Sequence, residues 1–504
     1  MSKTWVLIAA ILGSSMSFVD ATAVNVALPI MQRDLLATSA QLQWVVEGYA
    51  LFLAALVLVG GSLGDVLGRK KMFVLGVVIF AIASGACAIA PTIVLLIVAR
   101  CVQGIGGALS VPESLALISA TFTGAERGKA IGTWSGFASI TGAAGPVIGG
   151  VLAQDLSWRW VFVINIPIAI AVVLIASRHV PESKDDKAVH GIDWSGAVLA
   201  TTGLGTLVYG LIRLQTARSD HAGLASVVAG IIILAAFGYA QAHERHPMMP
   251  LALFRSRTFS IANIYTLLIY TALGGSLYFF PFVLIDVQKY TPTAAGAAGL
   301  PYVLLVFLLS RWSGGLIPRL GARVPLVIGG ALLGVAFLLY SLPGIGGPYL
   351  TTYFPAVCTL GIGSAFFVAP LTTTVFDSSD PSQSGIASAI NNAISRAAGL
   401  IAIAVLGIIL AAVFDRGFDA RIAASHVAPA TTTLLAAERD RLTAGTVPPD
   451  IRAPDRAAVE LALANGYLAG YRAVMYTSAA ISFSAAFIAL VFLPRKARAL
   501  AAAA

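Results

Sequence analysis

Six ionisable side chains stand inside long apolar runs of this sequence: Asp20, Glu47, Arg100, Glu113, Arg311 and Arg396. A charge at the centre of a bilayer costs roughly 2.5–3.5 kcal/mol on insertion scales, so such residues face a cavity or a partner and mark ion or substrate routes. None of the six is histidine, because every His falls in a predicted loop or at the edge of a run. Any proton carrier in the chain is therefore expected to be a carboxylate.

Asp20 is the leading candidate. At about 100° per residue, Gly13, Ser17, Asp20 and Ala27 share one helical face, and Ser14, Thr22 and Asn25 share a second. Small and polar, these stripes suit the wall of a cavity, where a carboxylate could load and unload protons. The competing reading is a static ion pair between Asp20 and Arg100. Glu47, beside Trp44 and Tyr49, reads either as an acceptor of protons or cations near the outer mouth or as an interfacial acid within an aromatic belt. Glu113, following Pro112, reads as a coupling residue or as an acid snorkelling near the cytoplasmic interface. Later in the chain Gly385, Asn392, Arg396, Gly399 and Gly407 share a face, so Asn392 and Arg396 are expected to point into the bundle. There they would hold substrate or bond a neighbouring helix. Gly132, Gly136, Ser139, Ala143, Pro146 and Gly150 form a small-residue face with a proline kink, either a pivot for rocking or a plain helix contact.

The elements that carry these residues are set by the solvent. Of 504 residues, 58% are apolar and only 11% charged, with a mean hydropathy of +0.88; soluble chains carry about 25% charged residues. Runs long enough to cross a ~30 Å hydrocarbon core as helices are predicted near 5–31, 43–64, 72–90, 92–118, 129–153, 158–177, 194–212, 222–241, 259–285, 293–314, 324–342, 351–375, 385–413 and 467–493. They group as six, two and six: a first bundle over 1–178, a linker with two additional spans over 179–257, and a second bundle over 258–504. The segment 415–465 is expected outside, as an amphipathic lid, a docking surface for a periplasmic partner or a plain loop.

Basic residues concentrate on one side. With a cytoplasmic N-terminus, the short outer loops carry only Arg33, Arg159, Arg213, Arg218 and Lys289, whereas most other Lys and Arg lie inside. Both termini are therefore expected in the cytoplasm. The net charge of +9 reads as topology and not as nucleic-acid binding. The apolar run from Lys3 to Met31 is too long for a cleaved signal. Cys87, Cys101 and Cys358 are scattered through apolar runs as packing residues. Thr123 to Ala130 lacks the first Gly and the hydroxyl of a P-loop. No cofactor or metal is expected, and the chain is not read as an enzyme.

An internal repeat is visible. Gly61, Gly64, Asp65, Gly68, Arg69 and Lys70 follow the second predicted span, and Gly314-Gly-Leu-Ile-Pro-Arg-Leu-Gly321-Ala-Arg323 follows the second span of the last six. Both read Gly-x-Leu-x-x-x-Leu-Gly-x-basic. The second copy has Pro318 where the first has Asp65, and Ala322 for Arg69.

At these residues the chain resembles the fourteen-spanning drug:proton antiporters of the major facilitator superfamily, the EmrB/QacA-like branch. Gly61 to Lys71 matches the loop motif between spans two and three, and Arg100-Cys-Val-Gln103-Gly-Ile-Gly106 the fourth-span motif. Gly145-Pro146-Val-Ile-Gly149-Gly150 is similar to the antiporter motif of span five, and Asp20 to Pro29 to the first-span motif of that branch. Two positions depart from the pattern: Thr141 stands where Gly is frequent, and Val66 where a basic residue is common.

The resemblance implies an all-α membrane protein of two six-helix bundles plus two central spans, working by alternating access on a proton gradient. It implies a part in proton transfer for Arg100 and stabilisation of one conformer by Asp65 with Arg69; the residues themselves add Asp20, Glu113 and Glu47 as proton-coupling candidates and Asn25, Gln103, Asn392 and Arg396 as candidates for a substrate cavity. The expected activity is export of small amphipathic or drug-like molecules across a bacterial inner membrane, with a periplasmic adaptor as one further partner. Export of a native metabolite and facilitated import are the alternatives, and a non-transporting scaffold is disfavoured.

Overall fold

A hydrocarbon core offers no hydrogen bonds, so a chain this apolar must satisfy its backbone within helices. The computed structural model describes residues 3–122, 124–184, 193–216, 220–245, 247–314, 316–378, 384–425, 427–437, 451 and 453–494. Among them there is no strand, and 14 helices are long and apolar enough to span a membrane. We number these α1 (Lys3–Leu35), α2 (Ser39–Leu67), α3 (Arg69–Ala88), α4 (Ile93–Thr121), α5 (Gly124–Asp155), α6 (Trp160–His179), α7 (Trp194–Thr216) and α8 (His221–His243). After a short turn at Leu251–Arg255 follow α9 (Arg257–Phe282), which continues as a π-turn over Val283–Val287, and α10 (Leu300–Gly314), whose span, Pro292–Leu309, includes the short helix Pro292–Ala298 before it. The last four are α11 (Arg323–Ser341), α12 (Phe354–Asp377), α13 (Ser384–Ala424) and α14 (Ala453–Phe492). Every predicted span has its helix.

Helix starts follow side-chain chemistry. Thr92 Oγ accepts from the Leu95 N–H at 3.3 Å and Ser256 Oγ from the Phe259 N–H at 3.4 Å, capping α4 and α9. Gly68 before α3 and Gly321 before α11 both take positive φ, 113° and 72°. The two repeat copies thus share the backbone turn that favours glycine, although their charges differ.

The segment 415–465 departs from expectation. α13 has 41 residues and α14 has 40; each runs about 60 Å at 1.5 Å per residue, twice the hydrocarbon core. The last helix begins at Ala453, not near 467. A nine-residue helix, Pro429–Ala437, follows α13, and its Thr431 hydroxyl donates to Asp455 at 2.6 Å. Helical extensions of the two spans therefore replace much of the expected loop; residues 438–450 lie outside the described ones.

By contacts the chain divides into two units, Met1–Ala27 with Trp44–Tyr209 and Ala225–Ala252, and Leu28–Gln43 with Gly210–Leu224 and Leu253–Ala504. In the first, α3 and α4 touch at backbone distance: a Cβ on Gly76 would lie 2.7 Å from the Gly106 carbonyl oxygen. Small residues allow this approach where no hydrophobic effect drives helices together. In the second, a Cβ on Gly274 of α9 would lie 3.0 Å from Gly399 Cα of α13. A reciprocal amide pair, Gln43 with Gln215 at 2.7 and 2.9 Å, also belongs to this unit, and Gln215 donates on to the Ala404 carbonyl at 3.1 Å. Arg472 of α14, an in-span charge absent from the six above, donates to the Ser341 and Pro343 carbonyls at 2.9 Å each, serving the exposed acceptors at the end of α11.

Candidate functional site

Asp20 and Arg100 meet in the first unit. Arg100 of α4 donates through Nη1 to Asp20 Oδ2 of α1, and the two are 1% and 0% exposed. The second carboxylate oxygen, Oδ1, accepts from Gln103 Nε2 at 2.9 Å and from Asn165 Nδ2 of α6 at 3.2 Å. Gln103 Oε1 accepts from Arg100 Nη1 at 2.7 Å, and Arg100 Nε donates to the Val45 carbonyl of α2 at 2.9 Å. Ser84 of α3 accepts from Asn165 at 3.0 Å and donates to the Phe162 carbonyl at 2.9 Å. The guanidinium lies 4.3 Å from the Tyr49 ring centroid, a cation–π contact strengthened by exclusion of water.

Five helices thus converge on one buried charge pair. Removing two ions from water is expensive, and the cost is met only with good geometry and hydrogen bonds for the remaining polar atoms. Here both carboxylate oxygens and two edges of the guanidinium are served. The Asp20–Arg100 ion pair is thus formed in this structure, and the face with Gly13, Ser17 and Ala27 is packed: a Cβ on Gly13 would strike the Phe73 ring at 2.6 Å. Helical spacing reports a shared face but not whether a helix or a cavity lies opposite. Gln103, expected on the substrate cavity, lies inside this cluster and is 0% exposed. Asn165 and Ser84 were not singled out by sequence, although an amide in the middle of the apolar sixth run was the signal available.

Two more acids are enclosed. Glu47 and Glu113 are both 0% exposed, and none of their carboxylate oxygens has a hydrogen-bond partner among the described residues. Neither acid reaches the protein surface. Glu113 lies against Gly64, where any Cβ would overlap its carboxylate, so the glycine makes room for the acid.

The loop motif forms a separate cluster. Asp65 accepts from Arg69 Nε at 2.9 Å and Nη2 at 2.7 Å. Glu182, in the predicted linker, accepts from the backbone N–H groups of Lys70 and Lys71 at 3.0 and 3.2 Å. A carboxylate there serves the free donors and the positive end of α3. Arg69 N–H bonds the Ser183 carbonyl at 2.8 Å and Lys70 Nζ the Ser177 carbonyl at 3.2 Å. Gly61 sits 3.8 Å, at its notional Cβ, from Pro112.

On α5 the close approach comes from Gly145 and Gly149. A Cβ on Gly145 would strike Thr22 Oγ1, and one on Gly149 would lie 2.8 Å from Ala23 Cα. Among the described residues nothing lies within 4 Å of the notional Cβ of Gly136; the side-chain positions of Gly132, Ser139 and Ala143 lie outside the described ones. Pro146 sits within the continuous helix, and Gly150 is buried.

On α13 the amide that bonds a neighbouring helix stands one position before Asn392. Asn391, not Asn392, reaches a neighbour, donating to Asn263 at 3.0 Å and Thr266 at 2.6 Å on α9. Asn392 is exposed and its amide donates to the Ser388 carbonyl of its own helix at 3.1 Å. Adjacent residues differ by 100°, which the small-residue pattern did not resolve. Arg396 is half-buried, as is Asn25, whose Oδ1 is enclosed without a hydrogen-bond partner among the described residues. The Arg311 side chain lies outside the described residues.

The chain matches the family model described as Major Facilitator Superfamily over residues 10–403. It is 31% identical over 489 residues to the tetracenomycin C resistance and export protein of Streptomyces glaucescens, covering 96% of this chain and 90% of that one. It is 35% identical over 408 residues to the multidrug resistance protein Stp of Mycobacterium tuberculosis, covering 81% and 75%. Among solved structures it is similar to a bacterial homologue of the human lysosomal transporter Spinster, with a TM-score of 0.66, 17% identity and coverage of 97% and 96%. That last likeness concerns the fold alone.

Proposed function

The chain belongs to the Major Facilitator Superfamily, and on that premise we propose that it exports small amphipathic, drug-like molecules in exchange for protons by alternating access. The carrying observation is the enclosed Asp20–Arg100 pair. A proton reaching Asp20 removes the carboxylate charge, while Arg100 keeps two neutral acceptors, Gln103 Oε1 at 2.7 Å and the Val45 carbonyl at 2.9 Å. The cation is therefore not stranded when the acid is neutralised. The two protonation states differ in what holds α1 to α4, and a ligand or proton that prefers one state shifts the population toward it.

In this reading Glu47 and Glu113 are further proton carriers. Asn25, Asn392 and Arg396 offer polar groups to the substrate. Asp65 and Arg69, with Glu182 at the start of α3, steady one conformer at the cytoplasmic face, and Gly145, Pro146, Gly149 and Gly150 let α5 move on α1. Relatives named for antibiotic and multidrug resistance support a drug-like substrate. The chain would act in a bacterial plasma membrane with both termini inside, residues 1–178 and 258–504 as its halves, and the α13–α14 projection as a surface for a periplasmic adaptor. It performs transport and no covalent chemistry.

The test is transport into inverted membrane vesicles energised by a proton gradient, comparing the natural chain with Asp20→Asn at equal expression. Loss of gradient-driven accumulation is expected in the variant. Full exchange of substrate for protons by Asp20→Asn vesicles would refute the assignment.

A further inference from the structure

A second paired carboxylate stands at the other end of α1. Arg33 Nη2 donates to Asp286 Oδ1 at 3.2 Å, tying the C-terminal end of α1 to the π-turn after α9, and both residues belong to the same unit. Arg33 is 56% exposed and Asp286 only 16%. The other oxygen, Oδ2, is enclosed and has no hydrogen-bond partner among the described residues. An ionised carboxylate accepts at both oxygens, so a proton on Oδ2 forfeits no existing bond.

The backbone here is unusual. After Pro281 the helix widens, with Gln288 N–H bonding the Val283 carbonyl at 2.9 Å and Tyr290 N–H the Leu284 carbonyl at 2.8 Å. Lys289 then takes a φ of 59°, a left-handed conformation uncommon for a residue with a side chain. π-Turns inside helices recur at functional sites. Beside the turn is a cavity of about 30 Å³ bordered by Asp286, Lys289, Glu460, Leu463, Ala464 and Tyr467, with room for about one or two waters.

We propose that Asp286 is a second proton-binding carboxylate, and that its pair with Arg33 is a latch on the end of α1 that protonation from the outer side releases. Neutralising Asp286 removes the attraction to Arg33, and the exposed guanidinium passes to water. The charged and titratable groups facing the site are Arg33 on α1, Lys289 beyond the turn, Glu460 and Tyr467 on α14, and Tyr278 on α9; exposed Asp34 is next to Arg33, and Arg456 pairs with Glu460 at 3.3 Å. Glu460 is 52% exposed and already partnered, which leaves Asp286 as the enclosed acid of the set. Because α1 also carries Asp20, freeing its outer end would let the first span respond to protons at two places. This extends the antiport reading by naming where the outer side senses protons.

A nitroxide at Ala464→Cys, in a full-length chain with Cys87, Cys101 and Cys358 changed to Ala, reports the cavity in liposomes without substrate or gradient. Its accessibility to a water-soluble relaxation agent is expected to rise as pH falls from about 8 to about 4, toward the range where carboxylates take up protons. Asp286→Asn and Arg33→Gln are each expected to hold it high at both pH values, losing the step, while Asp286→Glu retains the step. A flat profile in the unaltered pair, or an unchanged step in Asp286→Asn, would overturn the latch. Neither result touches the efflux reading, which has its own vesicle test.

Discussion

Replacing Arg100 by Leu is the more severe way to break the buried pair. It removes the cation from an Asp20 that is 0% exposed, leaving only the neutral donors Gln103 Nε2 at 2.9 Å and Asn165 Nδ2 at 3.2 Å. It also frees the Gln103 and Val45 acceptors and strips the Tyr49 ring of its cation. Removing one partner of a buried pair costs about 3–5 kcal/mol. Asp20→Asn keeps a polar group of the same shape, and Arg100 retains two acceptors, so a cost of about 1–3 kcal/mol follows. The double variant Asp20→Asn with Arg100→Leu never buries a lone charge, and its loss is expected to fall short of the sum of the singles by about 1–3 kcal/mol. Reversible denaturation of the purified chain in mixed micelles, followed by helical circular dichroism, measures all four corners of the cycle. Additivity within about 0.5 kcal/mol, the behaviour of independent sites, would refute the view that the two side chains support one another.

Three further perturbations bear on other parts of the structure. Gly149→Leu would drive a side chain into the Ala23 backbone of α1, so transport is expected to collapse while Gly136→Leu, with open space at its Cβ, leaves it intact; vesicle efflux at matched expression separates them. Asn391→Ala strands Asn263 and Thr266 and is expected to cost about 1–3 kcal/mol, against less than about 0.5 kcal/mol for exposed Asn392→Ala, read by the same denaturation. Burial pushes the Asp193 carboxyl up, but bonds from Gln241, the Gly196 and Met248 N–H groups and the Ser195 hydroxyl outweigh it and hold the group below the usual range. Its contribution is therefore present above about pH 4 and lost as pH falls further; proteolysis of the 243–257 segment is expected to rise only there, whereas Asp193→Ala, losing about 1 kcal/mol of capping, is cut at neutral pH.

The spans were legible because hydrocarbon leaves the backbone no alternative to helix, and runs such as those forming α2 or α12 carry that requirement in their composition. The ends of α13 and α14 were not, because Asp415, Arg416, Asp419 and Arg421, and later Arg456 and Glu460, end the hydropathy signal while the helix continues. The Asp20–Arg100 pairing was legible as one of two readings because two opposite in-span charges must be accounted for. Of its uncharged members, Asn165 stood out only as a lone amide in the sixth apolar run and Ser84 not at all, and neither position names its partner. Glu182 was hidden among the charges of a linker, where only folding brings it to the start of α3.

Proton movement during substrate exchange is the most direct measurement. In proteoliposomes of the purified chain loaded with a pH-sensitive dye and no imposed gradient, adding a transported cationic dye outside is expected to drive counter-movement of protons, with a fixed ratio of protons to substrate. Substrate flux that proceeds at the same rate with no change in internal pH would contradict the coupling of Asp20 to transport.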